Sequence, residues 1–329
     1  MRVRALVVAL VFALGPWGAS AQGTTKAPAK APTAAPAEAP AQAPAKEPAR
    51  EDYITPHISD SRHLELPAFS LAEGFTREVE LPRWKPLTVF GVELDLSPTK
   101  HVVFLLLSAT LVALVLIGSA RSVQRATAAG RPPSGFANAI EAIVLYIRNE
   151  VILPNVGPHG NRFVPFCLTL FWMILSANLL GLVPYGATAT GNISVTATLA
   201  GLSFLVTEIA GMRTLGKGYL STIFYWPHDM PLPVRSVMTL IMTPVEIISK
   251  FTKPFALAIR LFANMTAGHV VLLALIGMVF TFGSWIIAPL PAAMAVAIML
   301  LELFVAFLQA FIFTMLTSVF IGLIRESHH

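Results

Sequence analysis

One cysteine, Cys167, stands in the whole 329-residue chain, inside an apolar run. No internal disulfide can form, and that residue is expected to be plain packing. Charge is nearly as scarce. Asp, Glu, Lys and Arg make up 12% of the sequence, against about 25% in an ordinary soluble domain. The shortage is uneven: residues 1–100 hold 22 of the 41 charged side chains and residues 101–329 hold 19, so the last two-thirds reads as a membrane domain. HExxH, GxSxG and phosphate-loop signatures are missing, and the histidines have no metal-ligand spacing, which argues against a membrane-embedded enzyme and leaves no cofactor to expect. The net charge of +5 could suit nucleic acid, yet the basic residues gather in short loops between apolar segments. With no basic face or aromatic-interleaved patch, a nucleic-acid partner is excluded.

What is present is ordered along the chain. "MRVRALVVALVFALGPWGASAQ" has a basic start (Arg2, Arg4), an apolar core over 5–14 and the small-x-small triplet Ala19-Ser20-Ala21. This is the layout of a secretory signal peptide, 1–21, too short to span a bilayer. Residues 22–50 carry Pro28, Pro32, Pro36, Pro40, Pro44 and Pro48 at a strict period of four among Ala, Lys and Glu. Each proline removes a donor and fixes φ, so an extended, disordered tether is expected. Residues 51–100 are mixed, with strand-like pieces such as "LTVFGVELDL", and read as a small external segment.

Residues 101–329 predict an all-α polytopic membrane protein with spans near 101–120, 163–184, 192–212, 236–283 and 289–324. After Pro132-Pro133, "SGFANAIEAIVLYIRNEVI" places Phe136, Ile140, Ile143, Val144 and Ile147 at helical spacing, which predicts an amphipathic helix on the membrane surface. The loops at 121–162 and 213–235 and the tail with Arg325 are basic, whereas those near 185 and 285 are not. The positive-inside rule and the signal peptide then agree on a periplasmic amino end and a cytoplasmic carboxyl end, in a bacterial inner membrane. The last two apolar stretches are far longer than a hydrocarbon core of about 30 Å requires. They must tilt steeply or run partly outside it, with Pro244 and Pro254 as places to bend.

Those two stretches also hold polar residues. At 100° per residue, Glu246, Lys253, Arg260 and Asn264 fall on one stripe, with Lys250 at its edge and His269 on the opposite face. Glu302 and Gln309 share a face of the final helix, and Glu208 lies inside the third span. Pairing between helices would account for Asn264, Gln309 and Glu208, and snorkelling to the interface for Lys250 and Lys253. Arg260 stays protonated, at a cost of about 2.5 to 17 kcal/mol at the centre of a bilayer. With His269 and Glu302 in the same hairpin, it equips an ion path.

"LAIRLFANMTAGH" (257–269) and "LLELFVAFLQAFIFTMLTSVFIG" (300–322) resemble subunit a of the F-type ATP synthase, the proton-conducting stator beside the rotor ring. "NLLGLVPY" (178–185), "TPVEIISKFTKP" (243–254) and the helix order support this over roughly 60–329. The resemblance implies that Arg260 faces the carboxylate of the c-subunit ring and that His269 and Glu302 belong to an inlet half-channel with Asn264 and Gln309 nearby. It puts Glu246 and Lys253 near the cytoplasmic exit and the last two helices in a long tilted hairpin beside the ring. Its implied partners are that ring, the b-subunit peripheral stalk, the F1 sector indirectly, protons and lipid; the subunit itself is non-catalytic. Many bacterial members carry Glu where His269 stands and His where Glu302 stands; the reciprocal exchange keeps one acid and one imidazole. The other reading is a secondary transporter with a substrate-neutralising Arg260, which predicts inverted repeats and helices broken at mid-membrane; no convincing repeat is found.

Overall fold

A computed structural model describes residues 61–326 apart from breaks at 62, 71–73, 84–86, 90–91, 95–96, 159, 184–185, 187, 225–230, 283–285 and 287. The expected signal peptide, the tether and the first part of the external segment lie outside the described residues, as does most of the uncharged turn near 285. The described chain opens with two antiparallel hairpins. Strand β1 (His63–Ser70) pairs with β2 (Gly74–Glu80), and β3 (Leu87–Val89) with β4 (Val92–Leu94) inside "LTVFGVELDL".

Everything after them is helical: α1 (Lys100–Ala128), α2 (Phe136–Tyr146), α3 (Leu153–Val156), α4 (Val164–Gly181), α5 (Ile193–Leu215), α6 (Leu232–Phe282) and α7 (Pro289–Glu326). Five of these, α1 and α4–α7, are long and apolar enough to cross a membrane. The fold is therefore the expected all-α polytopic one. Its core is α4, the most enclosed of the five, with Phe171 set edge-on to Trp172 and to Phe307 of α7. By contrast α1 is nearly bare and leans on α4 through Ser108, whose hydroxyl faces the carbonyl of Met173 at 3.5 Å. A small residue at the crossing lets the two backbones approach.

The stretch after Pro133 forms the expected amphipathic helix, α2, with Ala137 and Ile140 buried on one side. Phe136 is exposed, and a π-helical turn (Ile147–Ile152) joins α2 to α3 and turns Ile147, Val151 and Ile152 fully into the core against α4 and α7. The extra residue per turn of a π-bulge rotates the apolar face, which a fixed 100° period cannot anticipate. Helix α6 stays continuous for 51 residues with Pro244 and Pro254 inside it. It is about 76 Å long and the 38-residue α7 about 57 Å, at 1.5 Å per residue.

Candidate functional site: the polar residues of the α5–α7 bundle

Among the described residues of α6, one stripe is buried, through Leu257, Ala258, Leu261, Met265 and Leu272. Arg260 lies off that stripe and is exposed, flanked on its own face by exposed Ala256, Ala263, Asn264 and Ala267. Among the described residues no side chain pairs with its guanidinium. It stands at the head of an open groove of about 500 Å³ that it shares with Ser249, Thr252, Lys253, Leu316 and Phe320. The mostly methyl-sized neighbours leave backbone and guanidinium approachable from outside the chain.

Glu302 behaves in the opposite way. It is buried, 6% exposed, and points from α7 to Gly268 of α6. A Cβ at Gly268 would overlap the Glu302 carboxylate, with Cδ at 2.8 Å. The missing side chain at 268 is therefore what admits the acid; the next residue along α6, His269, is half-buried. One carboxylate oxygen, Oε2, has no hydrogen-bond partner among the described residues. Gln309, two turns along, is also buried at 6%.

Sequence reasoning missed the buried hydroxyls and amide along the interfaces of α4 to α7. Asn178 of α4 is fully buried; it donates to the carbonyl of Ala306 at 3.2 Å and accepts from Thr190 at 2.6 Å. Thr190 sits in the 3-10 turn Ala189–Gly191, which the N-cap of Asn192, accepting from the Ser194 amide at 2.9 Å, joins to α5. Thr266 of α6 and Thr314 of α7 carry buried hydroxyls without partners among the described residues, and Ser203 meets Thr317 at 2.7 Å. A single Asn or Thr in an apolar run carries no signal of which helix it meets, so these were out of reach.

Lower in the bundle the expected stripe divides. Lys253 is exposed, its Nζ lying 5.6 Å over the Phe320 ring. Glu246 is half-buried and, together with Lys250 and Glu208, lines a second hollow of about 180 Å³ between α5, α6 and α7. Lys250 does not snorkel outward, as expected from the sequence. Its ammonium is 3.4 Å from Glu208, donates to Thr222 at 3.2 Å and lies 4.6 Å over the Tyr219 ring. Tyr219 in turn donates to Glu208. The 3-10 turn Gly216–Thr222 folds Tyr219 back onto α5, and Gly216, at φ 56, takes the left-handed conformation that starts it. Glu208 thus finds a partner, and this ties α5 to α6.

The sequence model of the family described as ATP synthase A chain matches residues 102–322, from the start of α1 almost to the end of α7. The chain belongs to that family. Relatives include ATP synthase subunit a of Chloroherpeton thalassium, 44% identical over 81% of this chain and 74% of that protein. ATP synthase subunit a 2 of Chlorobaculum tepidum is 44% identical over 83% and 72%. ATP synthase subunit a of Pelodictyon phaeoclathratiforme is 45% identical over 83% and 75%. As a member of the ATP synthase A chain family with five candidate spans, the chain is a multi-pass membrane protein. Arg260, Glu302 and Gly268 all fall inside the matched region, as does the groove holding Arg260.

Proposed function

We propose that this chain is the proton-translocating stator subunit of the Fo sector of an ATP synthase, non-catalytic by itself, with Arg260 facing the carboxylates of a rotating c-ring. The observation that carries this reading is the exposed guanidinium on α6, unpaired among the described residues and ringed by small side chains. A permanent cation placed there calls for an anionic partner from outside the chain, because an isolated charge in lipid is costly. At about 4 Å and an effective dielectric near 20, Arg260 stabilises a passing carboxylate by about 4 kcal/mol. That favours its ionised form roughly a thousandfold, at 1.36 kcal/mol per tenfold. An arriving acid loses its proton there, and a departing one regains a proton from the Glu302 and His269 side. Asn264 and Gln309 stand along that inlet, and Glu246 and Lys253 toward the outlet.

The basic loops and carboxyl end face the cytoplasm in this reading, the amino end faces the periplasm of a bacterial inner membrane, and the b-subunit stalk and F1 join the same assembly. Each proton falling through about 100 mV contributes about 2.3 kcal/mol, so several are needed per ATP. The transporter alternative calls for helices interrupted at mid-membrane, whereas α6 is unbroken through Arg260. In membrane vesicles carrying the whole complex, Arg260→Ala is expected to abolish proton-driven ATP synthesis while the subunit stays inserted. Arg260→Lys keeps the charge without the planar fork and is expected to retain little activity. Normal synthesis by Arg260→Ala overturns the assignment.

A further inference from the structure

Where α4 begins and α7 ends, three arginines gather that the scheme above does not use. Arg162 is exposed, its guanidinium 5.6 Å from the centroid of the Phe163 ring, and that of Arg325 lies 5.6 Å from the same centroid. Arg148, in the π-helical turn, is tied to them: one Nη donates to the Asn149 side chain at 3.0 Å, the other to that of Asn161, next to Arg162, at 3.4 Å. We propose that Arg148, Arg162 and Arg325 hold the phosphate of an anionic glycerophospholipid at the membrane boundary. The proposal stands apart from the stator reading and needs only that the chain is a multi-pass membrane protein.

Three features support it. First, like charges are brought together. One phenyl ring attracts a guanidinium only weakly, and two guanidiniums sharing a ring repel each other, so an anion that bridges them is favoured. Second, the charge of Arg148 and Arg162 is held in place without being cancelled. The partners of Arg148 are neutral amides, and among the described residues no carboxylate pairs with either arginine. Glu150 is exposed two residues beyond Arg148, and residues two apart on a helix do not face each other. The planar fork of arginine matches phosphate oxygens in pairs. Third, the cluster lies at the right level. Phe163 immediately precedes span α4, and Arg325 is the last residue but one of α7. Basic pockets between spans at that level take anionic headgroups. Leu145, Tyr146 and Leu323 are exposed within two or three residues of these arginines. Acyl chains cover such apolar surface, whereas a soluble anion leaves it bare, and tyrosine is enriched at the membrane interface.

Photolabelling tests this directly. The whole complex is placed in phosphatidylcholine vesicles with a trace of phosphatidylglycerol carrying a diazirine near its headgroup, and labelled peptides are read by mass spectrometry. Label is expected on residues 145–166 and 316–326, several-fold above that from a matched diazirine phosphatidylcholine. Arg148→Gln with Arg162→Gln is expected to cut this label several-fold, and Arg148→Lys with Arg162→Lys to keep part of it. Arg121→Gln with Arg125→Gln, at the end of α1, is expected to leave it unchanged. Arg162→Gln alone, at an exposed position, substitutes if the double variant does not assemble. Equal labelling by the two lipids, or label that survives the glutamine variants, overturns the proposal. Loss of label on adding inorganic phosphate also overturns it, since the site then serves a soluble anion. So does unchanged label with another subunit shed from the glutamine variant, which points to an acidic protein partner instead. None of these outcomes involves Arg260, so the stator reading stands or falls by its own test.

Discussion

At position 268 a single methyl group decides whether an acid can reach its neighbour across the hairpin. Glu302 fills the space that a Cβ on Gly268 would take. Forcing a methyl into a packed contact costs about 1–3 kcal/mol, and here the group that must yield is the carboxylate itself. Gly268→Ala is therefore expected to cut ATP-driven proton pumping severalfold with normal assembly, measured by dye quenching in vesicles. Gly268→Ala combined with Glu302→Asp, one methylene shorter, is expected to recover part of the rate. Full activity in Gly268→Ala alone shows that the placement of Glu302 is unimportant. Arg260, His269, Glu302 and Gln309 were all legible in the sequence as polar residues in the wrong medium. The contact of Glu302 with Gly268 was not, because a glycine in an apolar run announces nothing about which side chain will enter its space.

Helices here are held by their ends as much as by their faces. The carboxyl end of α7 is anchored by Arg325, which donates to the carbonyls of Val156 and Pro158, each at 2.6 Å, and lies 5.6 Å over the Phe163 ring. Close by, Gly322 abuts the Asn155 carbonyl, leaving no space for a side chain. Hydrogen bonds from a charged donor contribute about 1.5–3 kcal/mol each when enclosed, and less at this half-exposed position. Arg325→Gln is expected to lower the thermal inactivation temperature of the detergent-solubilised complex. Gly322→Ala is expected to lower it further, because backbone cannot move aside as a flexible side chain can. An unchanged midpoint in both variants argues that the anchor contributes nothing. The existence of α2 was legible from its spacing, but its π-helical continuation was not. That turn is imposed by the packing of Ile147, Val151 and Ile152 against α4 and α7.

Across the whole molecule, α6 and α7 leave much of their length uncovered by the rest of the chain, and the two exposed sides of α6 differ in character. Around Arg260 the exposed residues are small, Ala256, Ala263 and Ala267, whereas bulky Phe251 and Phe255 lie on the opposite side. Small residues invite a close partner helix, and large aromatics suit lipid. In the Cys167→Ala background, Ala263→Cys and Ala267→Cys are expected to form disulfides, under mild oxidation, with a cysteine introduced into the outer helix of a small ring-forming partner, and Phe255→Cys is not. Equal cross-linking from both sides contradicts a single ring-facing surface. The number of candidate spans was legible in the sequence alone, because bilayer thickness converts directly into a run of apolar residues. So was family membership, through contiguous polar-bearing motifs. Which polar groups meet was decided only by the tertiary structure: Glu302 at Gly268, Lys250 turned inward to Glu208, and Asn178 reaching both Thr190 and α7. A helical period gives each residue an angle about its own axis. It gives no angle between one helix and the next, and those contacts depend on that second angle.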